Sequence, residues 1–180
     1  MGWLLSLGIS RNRLDFVVDL SEEKATFGLV SEPVQRFLGA KPYTLDAKNR
    51  IAVQPGWRPA GEMALYLLTS MTHDMPMLKV ITQAGYDERV ANIADSTELS
   101  VKEKWEMEGI LAANCRDVSI SDQNKLTIPK DLCDYANLKP DTDVFQVGRH
   151  RHFEIWNIEY YNRAKEIERA KLNDNKIGIL

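Results

Sequence analysis

The sequence predicts an α+β, β-rich protein built from two tandem copies of one small strand-containing unit, with helices at the periphery. Three observations lead there: self-similarity at a shift of 75 residues, short apolar segments that alternate with period two, and helix-patterned stretches after each strand set. With 44% hydrophobic and 27% charged residues in 180, the chain has enough apolar surface to bury a core. No apolar run approaches the roughly 20 residues that span a bilayer, so a soluble protein without a membrane partner is expected.

Residues 1–34 have no counterpart in the repeat and are expected to form a flexible N-terminal extension. Their apolar cluster Trp3, Leu4, Leu5, Leu7 and Ile9 is followed by Arg11 and Arg13, the reverse of a secretory signal's order, and no small-residue cleavage pattern ends it. The segment therefore reads as non-secretory. The first unit is placed at 35–112 and the second at 113–180.

The repeat is clearest where TLDAKNRIAV (44–53) overlies SISDQNKLTI (119–128), setting Asn49 on Asn124, Arg50 on Lys125, Ile51 on Leu126 and Val53 on Ile128. In each copy a polar turn ends in Asn and a cation, and apolar residues then alternate with small polar ones. Asn tolerates the left-handed conformation of a tight turn, and the alternation is that of a strand with one face buried. Both copies read as a turn that presents a cation at the start of a strand. Further strands are expected at 65–68 and 77–81 in the first unit and at 144–147 and 152–156 in the second, with Leu78 over Phe153, Val80 over Ile155 and Tyr86 over Tyr161. Helical pattern follows at Tyr86–Leu111, broken near Asp95, where Ser96 or Thr97 could cap the next helix, and at Ile158–Leu172, with Tyr160, Ala164, Ile167 and Leu172 along one side.

The formal net charge of −3 hides a segregation. From Arg36 to Arg58 five basic residues face only Asp46, whereas from Asp87 to Glu108 seven carboxylates face three cations. A basic face on an acidic protein is thereby possible. Cys115 and Cys133, the only cysteines, lack metal-ligand spacing and read as buried free thiols. Arg149-His150-Arg151-His152 reads as a hairpin loop tipped with solvated charge, since two His need a third ligand to hold a metal and only His73 remains. Trp156, Tyr160 and Tyr161 are assigned to packing. There is no G-x-S-x-G, no phosphate-cradling glycine loop and no Cys paired with His by spacing, so no catalytic residue, metal or cofactor is expected. Asp46 and Arg50, in a D-x-x-x-R arrangement, read from spacing alone as a surface turn with a structural ion pair, with a nucleic-acid contact as the alternative.

The segment FLGAKPYTLDAKNRIAVQPGWR resembles the opening of the MraZ family, with Phe37, Gly39, Leu45, Asp46, Lys48, Arg50, Ile51 and Arg58 in the corresponding places. IPKDLCDYANL and VGRHRHFEIW are similar to the family's second unit, and the match covers about residues 36–162. The resemblance implies the AbrB-like fold, in which two half-units interlock into one barrel, both here from one chain. It also implies a DNA-binding transcriptional regulator of the division and cell-wall gene cluster, working as a homo-oligomeric ring on double-stranded DNA with short direct repeats, in the cytoplasm at the nucleoid. The DNA-binding residues it implies are Asp46, Lys48, Asn49, Arg50 and Lys125. The alternative is a ring-forming structural or regulatory protein of the same fold with weak or lost DNA binding.

This sequence departs from the family pattern at Asn49, which stands in the place of Gly, at Gln54 in the place of Pro, and at Ser121 and Lys125 in the places of Asp and Arg. Lys keeps the charge of Arg without its planar fork, and Ser121 offers no carboxylate to orient it. The first turn is therefore expected to be the principal reader, with Arg50 on bases, Lys48 on phosphate, and Lys125 at most on phosphate.

Overall fold

The computed structural model describes residues 35–58 and 64–173, so the expectation for the N-terminal extension lies outside the described residues. The elements run β1 (Ala40–Leu45), β2 (Arg50–Ala52), a 3-10 turn at Pro55–Trp57, β3 (Leu65–Thr72), β4 (Met75–Thr82), α1 (Gln83–Asp95), α2 (Val101–Asn114), β5 (Cys115–Val118), β6 (Lys125–Thr127), α3 (Lys130–Tyr135), β7 (Thr142–Gly148), β8 (Phe153–Asn157) and α4 (Ile158–Asn173). The protein is α+β. Its described strands form a six-stranded antiparallel sheet in the order β1-β7-β8-β4-β3-β5 and a separate two-stranded sheet, β2-β6. Among the described residues no pairing joins β1 to β5 into a hydrogen-bonded ring.

The pairing crosses the chain's midpoint repeatedly. β1 lies on β7, β5 lies on β3, and the two hairpins β3-β4 and β7-β8 meet at β4-β8. Two registers are self-consistent under the 75-residue shift. Arg50 faces Thr127 and Ala52 faces Lys125 around a central Ile51–Leu126 pair, while Leu78 faces Ile155 and Val80 faces Phe153 around Lys79–Glu154. Adding 75 to the first-half member of any such pair gives a residue of its mirror pair, which is what a local two-fold between equivalent strands produces.

One core fills the space between the two sheets. Ile51, Val53, Leu126 and Ile128 point inward from the small sheet onto Leu65, Leu67, Leu78, Val80, Val144, Phe153 and Ile155 of the large one. Phe37, Trp57 and Phe153 cluster at one end, edge-on or tilted to one another with ring centroids 5.1–6.0 Å apart. The period-two alternation puts the other side chains of β4, β7 and β8 on the opposite face, where Met75, Met77, Val147 and Trp156 pack beneath Tyr161 and Ala164 of α4. Burying a Leu- or Ile-sized side chain stabilises by about 1.5–3 kcal/mol, so both cores are substantial.

Several local expectations are corrected. The second helix begins at Ser100, not Ser96 or Thr97: Ser100 Oγ accepts from Glu103 N, and the Glu103 carboxylate accepts from Ser100 N at 2.8 Å, a reciprocal capping box set by the Ser-x-x-Glu spacing. In α4 the buried side is Tyr161 and Ala164, and Ile167 and Leu172 stay exposed, because the helix docks by its first turns. Trp156 is fully buried and Tyr161 nearly so, in keeping with packing. Cys133 is buried whereas Cys115, on an edge strand, is only partly covered.

The Arg149 side chain is not a solvated loop tip. It joins the hairpin to α4, donating from Nε to Glu154 (2.9 Å) and from Nη2 to Glu168 (2.5 Å), while Arg151 pairs with Glu88 of α1. Glu154 is itself buried and also accepts from Trp156 Nε1 at 2.9 Å.

A two-cation candidate site on one carboxylate

The site follows from the turn between β1 and β2. Asn49 N donates to Asp46 O and Asp46 N to Arg50 O, both at 2.9 Å, which closes a tight loop with Asn49 at φ 56°. The equivalent turn is closed in the same way, by Asn124 N to Ser121 O (2.7 Å) and Ser121 N to Lys125 O (2.9 Å), with Asn124 at φ 61°. Both asparagines occupy the left-handed region, as the sequence led us to expect. Each also supports the opposite strand: Asn49 O accepts from Ile128 N and Asn124 O from Val53 N.

Directly opposed residues of an antiparallel pair share a face. Arg50, Ala52, Lys125 and Thr127 therefore stand together on the outer side of the small sheet, and Ile51 and Leu126 on its buried side. Asp46 Oδ1 accepts from the backbone N–H groups of Lys48 (3.0 Å) and Arg50 (2.9 Å). Asp46 Oδ2 accepts from Arg50 Nε at 2.9 Å, lies 2.9 Å from Arg50 Nη2, and accepts from Lys125 Nζ at 3.0 Å. Partial desolvation pushes this carboxyl's pKa up, but donors from Arg50, Lys125 and the Lys48 backbone outweigh it and hold Asp46 well below the usual carboxylate range. Two cations thus share one ionised acid, leaving the cluster one positive charge in excess.

Of the residues singled out from sequence, Asp46, Arg50 and Lys125 come together in this cluster. Lys48 contributes its backbone N–H and leaves its side chain exposed; Asn49 supplies the turn, its Oδ1 buried without a partner. Ser121 does not orient the Lys125 ammonium: its Oγ accepts only from Lys125 N, at 3.3 Å. The lost carboxylate of the second turn is replaced by Asp46, 79 residues away.

Two supporting residues were given no structural role of their own from sequence, Gln146 read only as part of a strand and Arg58 noted only for its charge and its place in the family pattern. Gln146, fully buried, donates to Ala52 O at 2.6 Å and accepts from Gln54 N at 3.4 Å, tying the small sheet to β7; a lone polar residue in the run Val-Phe-Gln-Val was its signal. Arg58 Nε donates to Val53 O at 3.1 Å, so that guanidinium braces the end of β2. The acidic segment lies in α1 and α2, elements separate from the small sheet. Among the described residues no cluster of His, Cys, Asp and Glu is arranged to hold a metal ion, and no helix is long and apolar enough to cross a membrane.

No family model matches the chain. Among curated proteins it is similar to the transcriptional regulator MraZ of Methylibium petroleiphilum, 31% identical over 136 residues that cover 73% of this chain and 86% of that protein. The regulator of the same name from Roseiflexus castenholzii is 27% identical over 120 residues (67% and 80%), and that of Legionella pneumophila 24% identical over 143 residues (77% and 92%). A solution structure of a Pyrococcus horikoshii protein aligns to 67% of this chain and 98% of that one at 13% identity and a TM-score of 0.32, a likeness too slight to carry an argument.

Proposed function

The chain belongs to the MraZ family of transcriptional regulators, and from that premise we propose that it is a sequence-specific DNA-binding regulator that carries no catalytic activity and reads duplex DNA through the outer face of the β2-β6 sheet. The observation that carries this reading is the co-facial pair Arg50 and Lys125, presented by two like turns on a rigid, core-backed ladder. Sites built on strands hold side chains more closely than sites on free loops. Arg50, with its fork oriented by Asp46, is suited to guanine edges; Lys48 is suited to phosphate; Asn49 and Asn124 hold the turns. The crossed pairings of β1 with β7, β5 with β3 and β2 with β6 support reading the two halves as interlocked AbrB-like units enclosing one barrel-like core.

The same reading makes the target the promoter of the division and cell-wall gene cluster, approached by a cytoplasmic, nucleoid-associated homo-oligomer through short direct repeats. Support for assembly comes from the α1-α2 pair, where exposed Trp105 lines a groove with Tyr86, Val90 and Ala112, and where Met107 and Ile110 are exposed on the other side of α2. Large apolar side chains left exposed on a helix pair support an interface there. Fluorescence anisotropy on a duplex from upstream of the chain's own gene, against a shuffled duplex of equal length, tests the function. Binding should prefer the upstream duplex and weaken steeply with salt, and Arg50→Ala should cost about 1–3 kcal/mol on the upstream duplex and flatten the preference. An Arg50→Ala protein with unchanged preference would refute Arg50 as the reader.

A further inference from the structure

We propose that Arg50 and Lys125 form one reader on the shared carboxylate of Asp46, with Lys125 acting as a positioning residue that sets the specificity of Arg50. The proposal rests on the DNA-binding reading and assigns to Lys125 a task other than an independent phosphate contact. A carboxylate oxygen offers about two lone-pair directions. Oδ1 of Asp46 is filled by two backbone N–H groups, and the remaining three donors, Arg50 Nε, Arg50 Nη2 and Lys125 Nζ, converge on Oδ2. Three donors on one oxygen compete, so each cation loosens the hold on the other.

Lys125 has no carboxylate at the place equivalent to Asp46, where Ser121 stands, and its ammonium pairs with Asp46 and not with Asp122 of its own turn. Without Lys125 the Asp46–Arg50 pair is neutral and the guanidinium is drawn fully onto Oδ2. With Lys125 present the ammonium takes a share of Oδ2, so Asp46 still orients the guanidinium but holds it loosely enough for its fork to turn to a base edge. Base discrimination by Arg50 then depends on a residue contributed by the other half of the chain.

The test is a double-mutant cycle with Lys125→Gln and Arg50→Gln on the full chain, read as the ratio of affinities for the upstream and shuffled duplexes at two salt concentrations. Lys125→Gln alone should lower the ratio about fivefold, the scale of coupling between neighbours in one network, and should lower it no further in the Arg50→Gln protein. Lys125→Arg, which keeps a cation on Asp46, should leave the ratio within about twofold of the parent. Ser121→Asp, which gives the second turn its own carboxylate four residues before the cation, should abolish the effect of Lys125→Gln on the ratio. Circular dichroism and light scattering on each variant verify fold and oligomer size, and should Lys125→Gln not fold, the Lys125→Arg and Ser121→Asp proteins carry the test, a changed ratio in the first or an unchanged one in the second being against the proposal. Equal weakening of both duplexes by Lys125→Gln, additive with Arg50→Gln, would overturn the proposal alone. Absence of salt-dependent binding by the unmodified protein would overturn the DNA-binding reading and the proposal with it.

Discussion

Replacing Glu154 by Gln removes one charge from the buried junction between β8 and α4 with little change in shape. The carboxylate accepts from Arg149 Nε and Trp156 Nε1, each at 2.9 Å, and has His152 Nε2 at 3.5 Å. Burial pushes its pKa up, but these partners, His152 and Arg149 first, overcome that and bring it down to about 2 from 4.5. Its side chain is only 6% exposed, so solvent screens the interaction little. A depression of that size corresponds to about 3 kcal/mol of stability at neutral pH. The sign follows from linkage: the unfolded chain binds the proton more tightly, so the contribution is complete above the unfolded value near 4.5 and drains away as pH falls through the folded value near 2. By pH 3 less than half remains. Urea unfolding followed by tryptophan fluorescence, at one fixed protomer concentration, should place Glu154→Gln about 3 kcal/mol below the parent at pH 7, with the gap narrowing by about 2 kcal/mol at pH 3. A gap that does not change between these pH values would refute the claim that charge, not packing, is what Glu154 contributes.

Gly148→Ala should be more disruptive than its single methyl suggests, because a Cβ there would lie 2.5 Å from the backbone carbonyl of Phe37 and 2.6 Å from Leu38 N, where backbone must move; a loss of about 3 kcal/mol or more in urea titration is expected, and a loss under about 1 kcal/mol would contradict it. At Asn49, φ 56° and an unpartnered buried Oδ1 mean that the side chain supplies tolerance of the left-handed turn and no hydrogen bond through that oxygen. Asn49→Gly should therefore stay within about 0.5 kcal/mol of the parent while Asn49→Val loses about 1–2 kcal/mol, a difference that thermal melts can resolve; equal melting of the two would count against the turn argument.

What was legible in the sequence was local. The paired turns, the cations they present and the alternation that buries Ile51, Val53, Leu126 and Ile128 depend on neighbours within a few residues, and the 75-residue shift made each copy a check on the other. The strands β3, β4, β7 and β8 were readable for the same reason, since each carries its own apolar run. β1 and β5 were not. Ala-Lys-Pro-Tyr-Thr-Leu buries only Leu45 and contains a proline, and Cys-Arg-Asp-Val buries no residue fully. Both are outer strands, held by hydrogen bonds to a hairpin of the other half, and a strand stabilised by its partner's backbone need not announce itself in its own side chains.

Which residues bear the charge and which turns present it follows from the order of amino acids, because backbone preference at Asn and the apolar period act over short range. Tertiary structure alone decided that Lys125 shares the carboxylate of Asp46. The sequence reading left that cation without an acid because Ser121 stands four residues before it; antiparallel pairing of β2 with β6 places Ala52 opposite Lys125 and brings the ammonium within 3.0 Å of an acid 79 positions earlier. Proximity across so long a stretch of chain is set by the register of buried Ile51 on Leu126. A slip of one strand by one residue would turn its buried apolar side chain, Ile51 or Leu126, outward, so the core fixes the charge cluster.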